Sequence, residues 1–292
     1  PGVAQKQYRI NNITIFPNFT INDTINVKND SALVYNDFRI YDREKMFKPK
    51  IYDRTLYFHK DDLYNRTNHN LSLNRLVTLG TFKFVKNQFT VVDGKEGYLD
   101  ATYYLTPLPR KSIRLEVLAK TNSANYNGSE INMNWSNRNA FRGAELFTLS
   151  TFLGIETQFS GQYKGFNVYR YGGDASLIWP RFIVPFKITS ASGFVPRTKL
   201  NLFYENQIRV KLYHLNTFKG SFGYLWKESE RKEHELKLTE ITYVNSSSVS
   251  DLYKEQIAIN SSLEKVIEEQ LIFGPSYSYT FTNTVNRQQK VD

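Results

Sequence analysis

"NMNWSNRNAFRGAELFTLS", residues 132–150, holds a short basic turn between two segments that alternate apolar and polar side chains. Before the turn the apolar positions are Ile131, Met133 and Trp135; after it they are Phe147, Leu149, Leu153 and Ile155. A period of two sends successive side chains to opposite faces of a strand, so each segment has one apolar and one polar face.

The same pattern fills the chain from residue 110 onward. In "RKSIRLEVLAK" the apolar set is Ile113, Leu115, Val117 and Ala119, and Ser112, Arg114, Glu116, Leu118 and Lys120 occupy the other face. In "TKLNLFYENQIRVKLY" Leu200, Leu202, Tyr204, Ile208, Val210 and Leu212 alternate with a largely charged set. A soluble sandwich and a membrane barrel both need one apolar face, but ordinary strands run about 5–6 residues and tilted membrane strands about 9–11. The length of these runs, the charged second face and the aromatics near strand ends favour a barrel. Eight strands are expected, at about 111–120, 129–137, 145–159, 166–179, 198–213, 217–229, 235–245 and 271–283. The polar face then lines a lumen, the apolar face meets lipid, and the turn around Arg138 and Arg142 lies on the short-turn, periplasmic side. A helix is expected in the outer loop after the seventh strand, where Ser261 and Glu264 form a capping box.

Residues 1–109 read differently. "QYRINNITIF" is a strand ended by Pro17, followed by an irregular polar stretch to about residue 53. Residues 60–68 suit a short helix, and "NLSLNRLVTLG" a second one stopping at Gly80. "FKFVKNQFTVVDGKEGYLDATYYLTP" is a hairpin turning at Asp93-Gly94. Pro107 and Pro109 mark a boundary, giving domains 1–109 and 110–292.

Composition narrows the function classes. There are no cysteines, so disulfide scaffolds and thiolate metal sites are out. No run approaches the ~18 apolar residues of a spanning helix, which leaves barrels open. Phe, Tyr and Trp make up 15% of a chain whose mean hydropathy is −0.49, a mixture that suits membrane–water interfaces. The net charge of +10 comes without a dense basic run or a nucleic-acid motif, so scattered solvated charges are expected and no nucleic-acid partner. His59, His69, His214 and His234 lack metal-ligand spacing, and there is no nucleophile elbow or phosphate loop, so neither an enzyme nor a cofactor is expected.

"TLGTFKFVKNQF", "LTPLPRKSIRLEV", "WSNRNAFRGAE" and "SLIWPRFIVPF", in that order, resemble a POTRA domain running into the barrel of the BamA/TamA superfamily of outer-membrane assembly proteins. The "FRGAE" and "PRFIVPF" turns look most like TamA-like members of Bacteroidetes. The resemblance implies a mainly β protein: a transmembrane antiparallel β-barrel, partial here, preceded by an α+β POTRA-like domain. The family's barrel has sixteen strands, its Arg-Gly-Phe/Tyr loop is absent here, and the chain ends at Asp292 without a terminal aromatic strand. The expectation is the last POTRA domain plus half of a barrel from a longer protein.

That resemblance implies an assembly factor in the outer membrane of a Gram-negative bacterium, with its N-terminal domain in the periplasm. Its partners would be unfolded outer-membrane clients, the bilayer and accessory assembly proteins. The first strand would form one side of a client-pairing seam, with Ser112, Arg114, Glu116 and Leu118 on its luminal face. A secretion pore of the same superfamily is the alternative. Arg138, Arg142 and Arg181 sit in turns next to the POTRA-like domain, where they serve either lipid headgroups or the bracing of domain against barrel.

Overall fold

The computed structural model describes residues 6–20, 32–121, 126–158, 165–186, 188 and 192–283. Two sheets are built in sequence. The first has the order β2-β3-β1-β5-β4, from β1 (Arg9–Phe16), β2 (Leu33–Tyr35), β3 (Phe38–Ile40), β4 (Phe82–Val91) and β5 (Tyr98–Pro107). Helices α1 (Lys50–Thr55) and α2 (Arg66–Thr78) lie between β3 and β4 in the chain. β1 runs parallel to both β3 and β5, and β4–β5 is the expected hairpin.

Alternation decides the core of this domain. Leu99, Ala101, Tyr103 and Leu105 of β5 and Ile13 and Ile15 of β1 are buried, together with Ile51 and Tyr52 of α1 and Leu76 of α2. A register shift in β1 between Ile10 and Ile13 is held by Asp100, whose Oδ1 accepts from the backbone N–H of Asn12 and from the side-chain amide of Asn11. Gly80 (φ 71°) closes α2 as expected, taking the left-handed conformation that costs other residues energy.

Three local expectations fail for identifiable reasons. Of the helix expected at 60–68, residues 60–65 are not helical: the Asp62 carboxylate accepts from His59 N–H at 2.7 Å, and Leu63 bridges to Arg9. The helix begins instead after Asn65, which caps it by accepting from Asn68 N–H at 2.7 Å. The stretch read as irregular to residue 53 contains β2, β3 and the start of α1, elements too short to show a period.

The second sheet is antiparallel and eight-stranded, in the order β13-β12-β11-β10-β9-β8-β7-β6. Its strands are β6 (Lys111–Thr121), β7 (Tyr126–Asn137), β8 (Leu146–Gln158), β9 (Val168–Trp179), β10 (Arg197–Arg209), β11 (Tyr213–Ser229), β12 (Lys232–Val249) and β13 (Gln270–Phe281). Each expected strand is present, with several boundaries moved. β10 stops at Arg209 because Lys211 takes φ 64° and turns the chain directly into β11, which therefore begins at Tyr213; β7 begins earlier than expected, at Tyr126, and β12 is longer at both ends. The outer connection after β12 holds more helix than expected, with α3 (Asp251–Ile259), a 3-10 turn (Ser261–Leu263) and α4 (Glu264–Ile267). Ser250 rather than Ser261 starts it, accepting from Tyr253 N–H, and buried Tyr253 packs edge-on against Tyr213 at the rim.

Candidate functional site: two faces, an edge strand and a joint

Register sorts the side chains of the eight-stranded sheet into two faces. Ile113, Trp135, Leu149, Ala175, Leu202 and Ile241 lie in one row across the strands, and Leu115, Met133, Tyr204, Phe218 and Tyr243 in the next. These apolar side chains are left bare: Leu115 is 66% exposed, Leu153 62% and Phe273 68%. The opposite face carries the hydrogen bonds. Ser112 and Ser136 hydroxyls pair at 2.7 Å, the Asn134 amide donates to Ser150 Oγ at 2.8 Å, and Asn201 donates to Asp174 at 2.5 Å. Nearer the far end, Arg170 reaches Glu130 at 3.1 Å and Glu156 at 3.2 Å, and Lys120 also binds Glu130. A concavity of about 280 Å³ on this side is lined by Lys199, Lys219, Lys237, Asp174 and Glu240 among others, a mixed-charge surface suited to water.

The apolar belt runs obliquely across the rows. In β6 to β9 it includes the row of Val117, Ile131, Leu153 and Tyr171. In β10 to β12 that row is Asn206, Asn216 and Asn245, with the Asn206 amide donating to Asn216 at 2.7 Å. There the apolar positions extend the other way, toward the α+β domain, through Tyr224 and Trp226 to Tyr279 and Phe281. The drift is roughly 20 Å along the strands over roughly 33 Å of sheet, taking about 3.4 Å per residue and about 4.8 Å per strand. A level belt drawn on strands tilted by about 30° gives this slope, close to the ~35–45° of barrel strands.

At one edge of this sheet, β6 pairs with β7 alone among the described residues. Ser112, Arg114, Glu116 and Leu118 all project from its luminal side; Arg114 forms an ion pair with Glu116, and Ser112 accepts from Arg138 Nη1 at 3.2 Å. The other edge belongs to β13, nearly all of it exposed.

At the end nearest the α+β domain, two connections grip that domain. Ala144, in the β7–β8 turn, is 4% exposed and belongs to the domain's own hydrophobic core. In the same turn the Asn139 amide donates to the Met46 carbonyl at 2.8 Å, and the Arg142 carbonyl accepts from Lys48 N–H at 2.6 Å. Glu145 shapes the turn by accepting from the N–H groups of Phe141 and Gly143, and a Cβ on Gly143 would overlap its carboxylate. The β9–β10 connection supplies the Ser192 carbonyl, which accepts from Arg75 Nε–H (2.9 Å) and the Tyr57 hydroxyl (3.1 Å) of the domain. Arg197 donates to the Thr78 carbonyl at the end of α2.

The three turn arginines are thus placed unequally. Arg138 ties its turn to the interdomain segment, donating to the Pro109 carbonyl as well as to Ser112. Arg142 and Arg181 make their backbone contacts through carbonyls, the latter accepting from Thr198 Oγ1 at 2.7 Å. The side chains whose hydrogen bonds cross the joint include Arg75, Tyr57, Arg197 and Asn139. An arginine inside an amphipathic helix carries no sequence signal for such a role. No helix among the described residues is long and apolar enough to cross a membrane, a statement that does not concern strands, and none of them form a group of three or more His, Asp or Glu able to hold a metal.

This architecture is similar to the crystal structure of BamA from Haemophilus ducreyi lacking POTRA domains 1–3, at a TM-score of 0.53 and 13% identity. The match covers 97% of this chain and 46% of that one, so the chain spans about half the length of the structure it resembles. CdiB from Acinetobacter baumannii also matches, at a TM-score of 0.35 and 13% identity over 83% of this chain and 47% of that one. No protein-family model matches the chain, and no curated protein does. The fold is therefore defined as a mainly β one of BamA type: an α+β domain followed by eight strands of an antiparallel barrel.

Proposed function

We propose that this chain is part of a BamA/TamA-superfamily protein that assembles other barrels in the outer membrane of a Gram-negative bacterium. Its POTRA-like domain, residues 1–109, stands in the periplasm and meets unfolded clients, and accessory proteins act with it there. The placement nearest TamA-like members of Bacteroidetes rests on the "FRGAE" and "PRFIVPF" turns. The fold likeness to BamA supports the reading, and one observation carries it: β6 is the first strand and an edge strand of the described sheet, whose outer face is bare and apolar, which makes it one side of a seam.

The chemistry is that of backbone satisfaction. A strand entering hydrocarbon with unpaired N–H and C=O groups incurs several kcal/mol for each. A seam that opens at β6 offers partners to such a strand as it enters, lowering that barrier without a covalent step. Ser112 ties the luminal side of the edge to β7 through the Ser136 hydroxyl, and Arg114, Glu116 and Leu118 continue that side, while Ile113, Leu115 and Val117 keep the strand seated in lipid.

Crosslinking during assembly tests this. Cysteines introduced one at a time between positions 111 and 120 of the full-length protein should crosslink to a cysteine in the terminal strand of a client barrel. Active assembly with no such crosslinks contradicts the seam and favours a secretion pore of the same superfamily.

A further inference from the structure

The connection from β9 to β10 leaves the sheet on its apolar side. Thr198, Tyr224 and Trp226 share the outward parity of Leu200, Leu202 and Phe222 in strands β10 and β11, whose register is continuous. Residues 181–183 fold back over these three. Thr198 Oγ1 donates to the Arg181 carbonyl at 2.7 Å and accepts from Ile183 N–H at 3.0 Å; the Tyr224 hydroxyl donates to the Ile183 carbonyl at 2.9 Å. Phe182 packs edge-on against Tyr224 and Trp226, at centroid distances of 5.6 and 6.2 Å. Thr198 is left with 0% exposure, on a face that is otherwise bare.

What this segment turns away from the sheet is apolar. Phe186 is 64% exposed, Ile183 36%, and Pro185 is exposed between them. The level is marked independently: all three tryptophans, Trp135, Trp179 and Trp226, project outward near this end of their strands. Tryptophan and tyrosine gather where hydrocarbon meets headgroups, because their rings are apolar and their N–H or O–H needs a polar partner. Positive charge is present as well. Arg54 of the α+β domain lies within electrostatic reach of Arg181: partial desolvation of its guanidinium, and then repulsion from Arg181, hold its pKa below the ordinary arginine value.

We infer that residues 180–186 form an interfacial foot, seating Ile183, Pro185 and Phe186 at the headgroup–acyl boundary of the leaflet facing the α+β domain, with Arg181 and Arg54 at the level of the lipid phosphates. The inference rests on the membrane reading of the sheet. The occupant is lipid rather than protein because the foot continues the lipid-facing surface at the tryptophan level and combines apolar tips with cations, the composition of interfacial segments. Since the same connection supplies Ser192 to Arg75, the foot also ties the height of the α+β domain to the bilayer.

These residues contain no cysteine, so once any cysteine elsewhere in the full-length protein is replaced by serine an introduced one carries a unique label. The full-length protein, bearing an environment-sensitive fluorophore at Ile183→Cys, Phe186→Cys or Leu153→Cys, is reconstituted into phosphatidylcholine–phosphatidylglycerol vesicles whose acyl chains are brominated either near the headgroup or near the methyl end. Labels at 183 and 186 should be quenched at least about twofold more by the shallow bromines, and the label at Leu153, in mid-belt, more by the deep ones. A quenched label at 153 with water-like, unquenched labels at 183 and 186 overturns the foot. Labels at 183 and 186 that are blue-shifted yet unquenched by either lipid overturn it in favour of a protein partner. No quenching at 153 removes the membrane reading, and the foot with it.

Discussion

Arg75 Nε–H donates to the carbonyl of Ser192 at 2.9 Å, joining a helix of the α+β domain to the connection between two strands of the eight-stranded sheet. The same guanidinium donates to the Arg54 carbonyl at 3.1 Å and lies 4.5 Å from the centre of the Tyr57 ring. One side chain thereby fastens α1, α2 and the β9–β10 connection. With Ala144 inside the domain's core, this makes the domain and the near end of the sheet a single packed joint.

Replacing Arg75 by alanine removes its hydrogen bonds to the Ser192 and Arg54 carbonyls, the former keeping the Tyr57 hydroxyl as a donor, a loss of about 1–3 kcal/mol. The domain should then sample more orientations. Spin labels at Thr90→Cys and Ser129→Cys should give one narrow distance distribution in the parent protein and a broader one in Arg75→Ala. Equal widths would show that the joint is held elsewhere.

Gly172 lies on the luminal side of β9, beneath the Phe152 and Phe203 rings, which stack at 6.2 Å. A Cβ there would overlap the Tyr204 carbonyl and stand 2.8 Å from Phe152 Cζ. Gly172→Ala should destabilise the sheet by about 1–3 kcal/mol, by forcing β9 and β10 apart. Gly154→Ala, with nothing nearer than 3.6 Å, should change stability by less than about 0.5 kcal/mol. Urea midpoints of the two variants in detergent decide it, and equal midpoints would contradict the packing described.

His69 is half-buried in the α+β domain between Tyr64 and Phe89, with Nδ1 3.0 Å from the Tyr64 hydroxyl and Nε2 accepting from the Asn87 amide. Burial, and then the charge of Arg66, hold its pKa below the ordinary 6.5. The unfolded chain therefore takes up this proton first, and the domain loses stability as pH falls below about 6.5. The domain's urea midpoint, followed by a fluorophore at Lys86→Cys, should drop between about pH 7.5 and about pH 5, and His69→Gln should flatten that dependence. An identical pH slope in the variant would assign the effect to other groups.

The eight strands were legible because each must keep one face apolar over its whole length, and that alternation survives in the sequence. The β10–β11 turn was not, since Val210 and Leu212 continue the apolar phase while Lys211 turns the chain at φ 64° without a glycine. β2 and β3 are three residues each, too few to alternate. In α3, the Ser250 cap precedes only nine residues, whose buried contact is Tyr253. At the joint, turn arginines were recognisable from composition, but Arg75 and Arg197 are fixed by tertiary contacts that no local pattern encodes.

Labelling along β6 tests the central claim, that this sheet stands in a membrane with its apolar face in lipid. Single cysteines at positions 112 to 117 of the full-length protein, in native outer membranes, are exposed to a water-soluble maleimide. The even positions, which replace Ser112, Arg114 and Glu116 on the luminal side, should react, and the odd positions, which replace Ile113, Leu115 and Val117, should stay protected. Uniform labelling at all six positions would contradict the account, because it would place both faces of β6 in water.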